Sequence, residues 1–171
     1  MIEPTEYEHF LVAPVPFFKV DKEFYVEAQA QQGLNRWLDN FENMIFAAPV
    51  IPELLAKSMK ETCWLPSGKL VERVRMVPLP WAYRPDQFIR TLPVTIHLLN
   101  KLVKKAHYLQ FCISGFWGDW AAVAAELAIW HKRNFSVYTD NVAHIYCDKM
   151  MQNNPPLKRA MHCFDIPIMK Y

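Results

Sequence analysis

Apolar and polar positions along this chain change their period several times, and each change marks an element. His9–Val20 reads HFLVAPVPFFKV, an apolar run that predicts a buried strand passing into a loop where Pro14 and Pro16 remove backbone donors. From Asp21, placed as a cap, the residues Phe24, Ala28, Leu34, Trp37, Leu38 and Phe41 return at roughly helical spacing. They predict one long helix, weakened or bent at Gly33. Asn43–Ile51 (NMIFAAPVI) is a short continuous apolar run closed by Pro49 and Pro52, as expected of an interior strand. A short helix is expected over 53–61. Thr62–Leu65 and Glu72–Leu79, flanking the turn Pro66-Ser67-Gly68, read as a strand or a pair of short strands.

Asp86–Lys105 carries the clearest helical stripe, with Phe88, Leu92, Ile96, Leu99 and Val103 on one face. Lys101, Lys104 and Lys105 fall at the end where positive charge suits the helix dipole. Pro93 predicts a kink there or the start of a second helix. His107–Ser114 (HYLQFCIS) reads as a strand, and a helix follows from Asp119 to about Lys132, with Trp120, Val123, Ala124, Leu127 and Trp130 as its apolar face. Phe135–Thr139 (FSVYT) predicts another strand and Asn141–Met151 another helix, which NNPP at 153–156 breaks. Strands alternating with helices of ten or more residues imply an α/β fold: a Rossmann-like parallel sheet with helices on both faces, in three layers. Residues 1–171 are expected to form one such domain, with 153–171 as a linker or the start of an interdomain connection.

Composition narrows the function classes. The chain has 171 residues, of which 52% are hydrophobic and 21% charged, so a packed core is expected rather than disorder. Its net charge of +2 comes from interspersed residues, which argues against a nucleic-acid partner. The four cysteines form no C-x-x-C pair, and a reducing, cytoplasmic setting fits them. The start, MIEPTEYEHF, has neither a basic nor an apolar signal region, and no run approaches the ~18 apolar residues of a membrane span. Peripheral membrane contact stays open.

Two constellations could carry chemistry, both at expected carboxyl ends of strands. In Gly115-Phe116-Trp117-Gly118-Asp119 a strand turns into a helix, but the turn lacks the third glycine of G-x-G-x-x-G and the Gly-Lys-Ser/Thr of a P-loop. Asp119 stands where a helix N-terminus would otherwise receive an anion, which argues against a flavodoxin-like mononucleotide site. One reading makes Asp119 a helix cap with glycines that supply backbone freedom. The other makes Trp117, Gly118 and Asp119 a sugar site, with a carboxylate for hydroxyls and an aromatic face for the ring. The second constellation is Asp140 with His144 one turn on, either an acid–base or substrate-orienting pair or a second cap. No metal site is expected, because His144 with Cys147 and His162 with Cys163 are half-sets without partners. Trp81 and Tyr83, in PLPWAYRP, are expected at an exposed rim that a protein partner could use.

The run GFWGDWAAVAAELAIWHKRNFSVYTDNVAH resembles the later part of the N-terminal domain of GT-B type glycosyltransferases, in which a strand ends in a glycine-containing turn, a helix of small residues follows, and the next strand carries a Thr/Ser-Asp end. HFLVAPVPFFKV and the apolar strand ending in Pro are compatible with the same domain, although Pro14-Val15-Pro16 stands where many relatives have a glycine-rich loop. The resemblance implies an acceptor-binding domain that takes a sugar or a glycosylated acceptor. The nucleotide-sugar donor would bind a C-terminal donor-binding domain that this chain lacks, and no cofactor is expected here. It also implies that Gly118, Asp119, Asp140 and His144 face the cleft between the two domains. The alternative is a non-catalytic α/β protein-interaction module.

Overall fold

The structure is a computed structural model that describes residues 8–114 and 117–139. The predicted helix over 141–151, the linker over 153–171 and the candidate residues Asp140 and His144 lie outside the described residues.

Five parallel strands form the main sheet: β1 (His9–Val12), β4 (Met44–Pro49), β6 (Val74–Leu79), β7 (Tyr108–Cys112) and β8 (Ser136–Tyr138), in the spatial order β6-β4-β1-β7-β8. Counting only these five, the order is 3-2-1-4-5, the doubly wound arrangement expected of a Rossmann-like fold. Side chains alternate between the two faces. Phe10, Val12, Ile45, Ala47, Val77, Leu79, Leu109 and Phe111 point into one apolar cluster, which α3 (Pro85–Lys105) and α4 (Trp120–Trp130) cover. Leu11, Met44, Phe46, Ala48, Val74 and Cys112 belong to the opposite cluster, closed by Leu34 and Leu38 of α1 (Ala28–Leu38). Strands buried on both faces read as unbroken apolar runs, which is why Met44–Pro49 was visible in the sequence.

The stretch after β1 departs from expectation. Pairing reaches the Ala13 N–H, which donates to the Ala47 carbonyl at 3.1 Å, and Phe17–Val20 then forms β2, which pairs antiparallel with β3 (Glu23–Glu27). Asp21 therefore caps no helix; it sits in the hairpin turn with φ of +51°, a left-handed conformation that Asp tolerates better than most residues. The helix starts only at Ala28, whose N–H donates to the Cys63 carbonyl at 2.9 Å. Phe24 fits a helical spacing, yet EFYVE alternates, and its period of two decides the element. A third strand, β5 (Trp64–Pro66), completes this small antiparallel sheet. Phe18, Tyr25, Trp64 and Trp81 pack there with Ile51 and with Ala56 of α2 (Glu53–Ser58). The Ile51 N–H donates to the Phe17 carbonyl at 3.0 Å, which ties the small sheet to the carboxyl end of β4.

Two further details correct the helical expectations. α3 runs unbroken through Pro93, with Pro85 in its first turn and Lys104 and Lys105 in its last. In α4 the buried face is Trp120, Ala121, Ala124, Ala125 and Ala128, whereas Trp130 is 82% exposed. Small side chains let α4 lie close to the sheet, so the alanines rather than the larger residues mark its inner side.

Candidate functional site

Chains leaving β1 and β7 diverge, one toward the hairpin and α1, the other toward α4 on the opposite face. That divergence opens a crevice at the carboxyl ends of these neighbouring strands, the usual ligand position of such sheets. Residues 13–16, 80–84, 113–114 and 117–119 surround it, and β8 ends beside them, since the Ile113 N–H donates to the Tyr138 carbonyl at 3.2 Å.

Asp119 holds this region together. It is 5% exposed, and its two oxygens accept from separate backbone donors: Oδ1 from the Ala122 N–H at 3.0 Å and Oδ2 from the Ser114 N–H at 2.8 Å. The first bond caps α4, and the second clamps the end of β7 to the helix start. Both oxygens being so engaged inside the protein, the carboxylate serves as a cap and a clamp, and a bound sugar would have to compete with those N–H groups. Gly118 has φ of +80°, and a Cβ built on it would lie 2.9 Å from the Ala82 carbonyl oxygen and 3.1 Å from Tyr83 Cδ1. Glycine is required here twice over, by the dihedral and by the close approach. The Trp120 indole N–H donates to the Pro80 carbonyl at 2.8 Å, and Trp117 meets Phe88 edge to face at 5.8 Å between centroids. Gly118 and Trp120 are thus fastened to the loop PLPWAYRP, and Trp117 to α3.

Tyr83 crosses the crevice, its hydroxyl donating to the Pro14 carbonyl at 3.4 Å. Burial, with the Asp119 charge as a smaller cause, pushes the phenol up to about 12, so it remains a donor at neutral pH and does not act as a base. Its ring is 40% exposed, as expected of a rim residue, while Trp81 turns inward onto the small sheet, 4.5 Å from Tyr83 between centroids. Ser114 is exposed at the end of β7 and adds a hydroxyl. The sequence reading missed Ser114 and underrated Tyr83, because neither belongs to a recognisable spacing. Trp117, Gly118 and Asp119 do come together at the rim, but Gly118 and Asp119 build it rather than offer groups to a ligand.

A second concavity, of about 680 Å³, lies on the α1 face, between that helix and β1, β7 and β8. Gln110 lines it, and His9 Nε2 pairs with the Gln110 Oε1 at 3.1 Å. His9 is 2% exposed, stacked on Phe41 at 4.5 Å, and its Nδ1 has no hydrogen-bond partner. Burial therefore holds the imidazole down to about 4, against the smaller opposing effect of Gln110. This ring is a neutral core group and not an acid–base catalyst.

Among the described residues no three His, Cys, Asp or Glu side chains converge as a metal site, and no helix is long and apolar enough to cross a membrane. No protein-family model, no curated protein and no solved structure matches this chain.

Proposed function

We propose that this chain is the acceptor-binding domain of a glycosyltransferase, receiving a sugar or glycosylated acceptor while a separate domain binds the nucleotide-sugar donor. The observation that carries the reading is the strand order, which turns at β1 and β7 and opens a crevice at their carboxyl ends. The chemistry around that crevice suits a neutral, hydroxyl-bearing ligand: the hydroxyls of Tyr83 and Ser114 stand at the rim beside the half-buried Trp117. Asp119 enters the reading as the residue that shapes the turn. Asp140 and His144 follow β8 in sequence and stay candidates for the acceptor side on the family resemblance alone.

Saturation-transfer NMR with a panel of methyl glycosides tests this. Ring protons of at least one glycoside should receive saturation, and Tyr83→Phe combined with Ser114→Ala should weaken binding about tenfold, the loss of roughly one hydrogen bond. A flat response from every glycoside at tens of millimolar would refute the reading. A second reading, a protein-interaction module, is favoured by α2, where Leu54 is 86% exposed, Leu55 42% and Met59, just beyond the helix, 40%. Leu54→Glu should abolish a protein contact and leave glycoside binding untouched, which separates the two.

A further inference from the structure

We propose that the paired carboxyl-terminal ends of α3 and α4 dock on the surface of an anionic lipid bilayer. This inference is independent of the sugar-binding reading.

Two sets of contacts bring these helix ends side by side. The His131 ring pairs through Nε2 with the Asn100 Oδ1, and the Arg133 guanidinium donates to the carbonyls of Val103, Lys104 and Ala106. On α3, Lys101 and Lys104 therefore stand within one residue of these contacts, and Lys105 closes the helix. On the α4 side, Trp130 and Lys132 stand equally near. All four lysines are exposed, and none has a carboxylate within ion-pair distance among the described residues. A helix carboxyl end attracts cations, but Arg133 already satisfies its carbonyls, which leaves the ammonium groups open to a partner. Over 97–107 and 126–134 the sequence holds five Lys and Arg against a single carboxylate, Glu126, one turn before Trp130. A chain whose net charge is +2 thus concentrates its positive excess at this end.

Apolar side chains at the same place select the partner. Trp130 is 82% exposed with no ring contact among the described residues, and Ile129 beside it is 57% exposed. At a lipid–water boundary an indole keeps its N–H wet while its ring lies among acyl chains, and lysines hold their charges at the phosphates on long apolar stems. An acidic protein partner calls for cations in fixed geometry, yet the open cations here are flexible lysines, and the Arg133 fork is already occupied. Attraction to a layer of anionic headgroups asks for no such geometry and strengthens binding about fivefold per lysine. Docking at this end leaves the crevice open. α4 starts beside the crevice at Trp120 and ends at Trp130, about 16 Å along its axis, so a bilayer on Trp130 meets the opposite end of the sheet.

Co-sedimentation of the full chain with sucrose-loaded vesicles tests the proposal. Vesicles of phosphatidylcholine with one-third phosphatidylserine should bind at least tenfold more strongly than phosphatidylcholine alone. Raising salt from about 0.1 M to about 0.5 M should remove most of that difference. Lys101→Ala with Lys104→Ala and Lys132→Ala should weaken binding to the anionic vesicles about 100-fold, whereas Lys101→Arg with Lys104→Arg and Lys132→Arg should retain it. Trp130→Ala should weaken it about tenfold, through the apolar area no longer buried, and provides the reading if the triple alanine variant fails to fold. Equal affinity for both kinds of vesicle, no sedimentation at millimolar lipid, or binding unchanged in the alanine variants would overturn the proposal. Binding to polyglutamate without binding to vesicles would overturn it as well and assign the surface to an acidic protein.

Discussion

Gly118 and Asp119 show at the scale of single residues how a turn that looks like a ligand loop can be a joint. The carboxylate takes one N–H from the helix it starts and one from the strand it leaves, and the glycine lets the turn pass against Ala82. Gly118→Ala should cost about 2–3 kcal/mol, from a left-handed conformation worth about 1–2 kcal/mol and a backbone clash on top. Urea denaturation measures it, and a loss under 0.5 kcal/mol would contradict the geometry. The capping role was legible, since Asp before an apolar helix is a start signal. The clamp onto Ser114 and the fit against Ala82 were not, because they depend on strand ends brought together only by the sheet. His9 was invisible for the same reason: nothing in HFLV distinguishes a buried neutral imidazole from an exposed one. Its proton affinity makes a second prediction. The unfolded chain takes up the proton near 6.5, the folded chain only near 4, so between those values the unfolded state binds more protons and stability falls as pH falls. The loss should total about 3 kcal/mol by pH 4, with no contribution above pH 6.5. Urea midpoints at pH 7.5 and 4.5 should show that drop, and His9→Leu with Gln110→Leu should flatten it. An identical drop in the double variant would remove His9 from the account.

Whole elements depend on partners distant in sequence, and here two arginines do the work that local caps usually do. Arg73 donates to the carbonyls of Leu38, Phe41 and Glu42 at 2.8–2.9 Å, gathering the last turn of α1 and the loop after it. Arg133 does the same for α3, reaching the carbonyls of Val103, Lys104 and Ala106. Both guanidiniums satisfy helix-end acceptors that would otherwise need water. Sequence periodicity found β4 because it is apolar throughout, and found α3 because it is long and amphipathic. It merged β3 and α1 into one helix, and left β2 in the loop after the first strand, because aromatic residues in a short hairpin also fall near helical spacing. Only the alternation of EFYVE separates the two, and five residues are a short sample of any period. Pro93 offers a test at this scale. It lies exposed within α3, lacks the N–H that would reach the Ile89 carbonyl, and the Thr91 hydroxyl donates to the neighbouring carbonyls of Gln87 and Phe88 at 2.9 and 3.3 Å. Pro93→Ala restores the missing bond to the Ile89 carbonyl and should raise stability by about 1–2 kcal/mol, less than the full cost of an interior proline because proline also restricts the unfolded chain. A measured destabilisation would mean that the proline itself is needed for the fit of α3 onto α4.

At the scale of the molecule, the sheet order sets where a ligand can enter, and the chemistry at that place sets what the domain can do alone. Sugar transfer from a nucleotide donor needs stabilisation of the phosphate charge that builds on the leaving group. A helix N-terminus is the usual source within this kind of fold. Among the described residues two helices start beside the crevice: α3, whose first turn carries Asp86 paired with Arg84 at 3.1 Å, and α4, whose end Asp119 already fills with a negative charge while accepting from the Ala122 N–H. The rim beside it offers neutral hydroxyls from Tyr83 and Ser114, which can orient an acceptor but cannot neutralise a pyrophosphate. On the proposed reading the chain therefore binds acceptor and transfers nothing. Incubating the purified 171 residues with radiolabelled nucleotide sugars and an acceptor that binds should release no free nucleotide above the rate without protein. Asp119→Asn should not create transfer either, because it removes charge from the helix end without supplying a cation. Supplying a donor-binding domain in trans or by fusion should be the change that starts turnover. Transfer by the unmodified chain alone would require a donor site on these residues, and the division of labour argued from Asp119 would have to be abandoned.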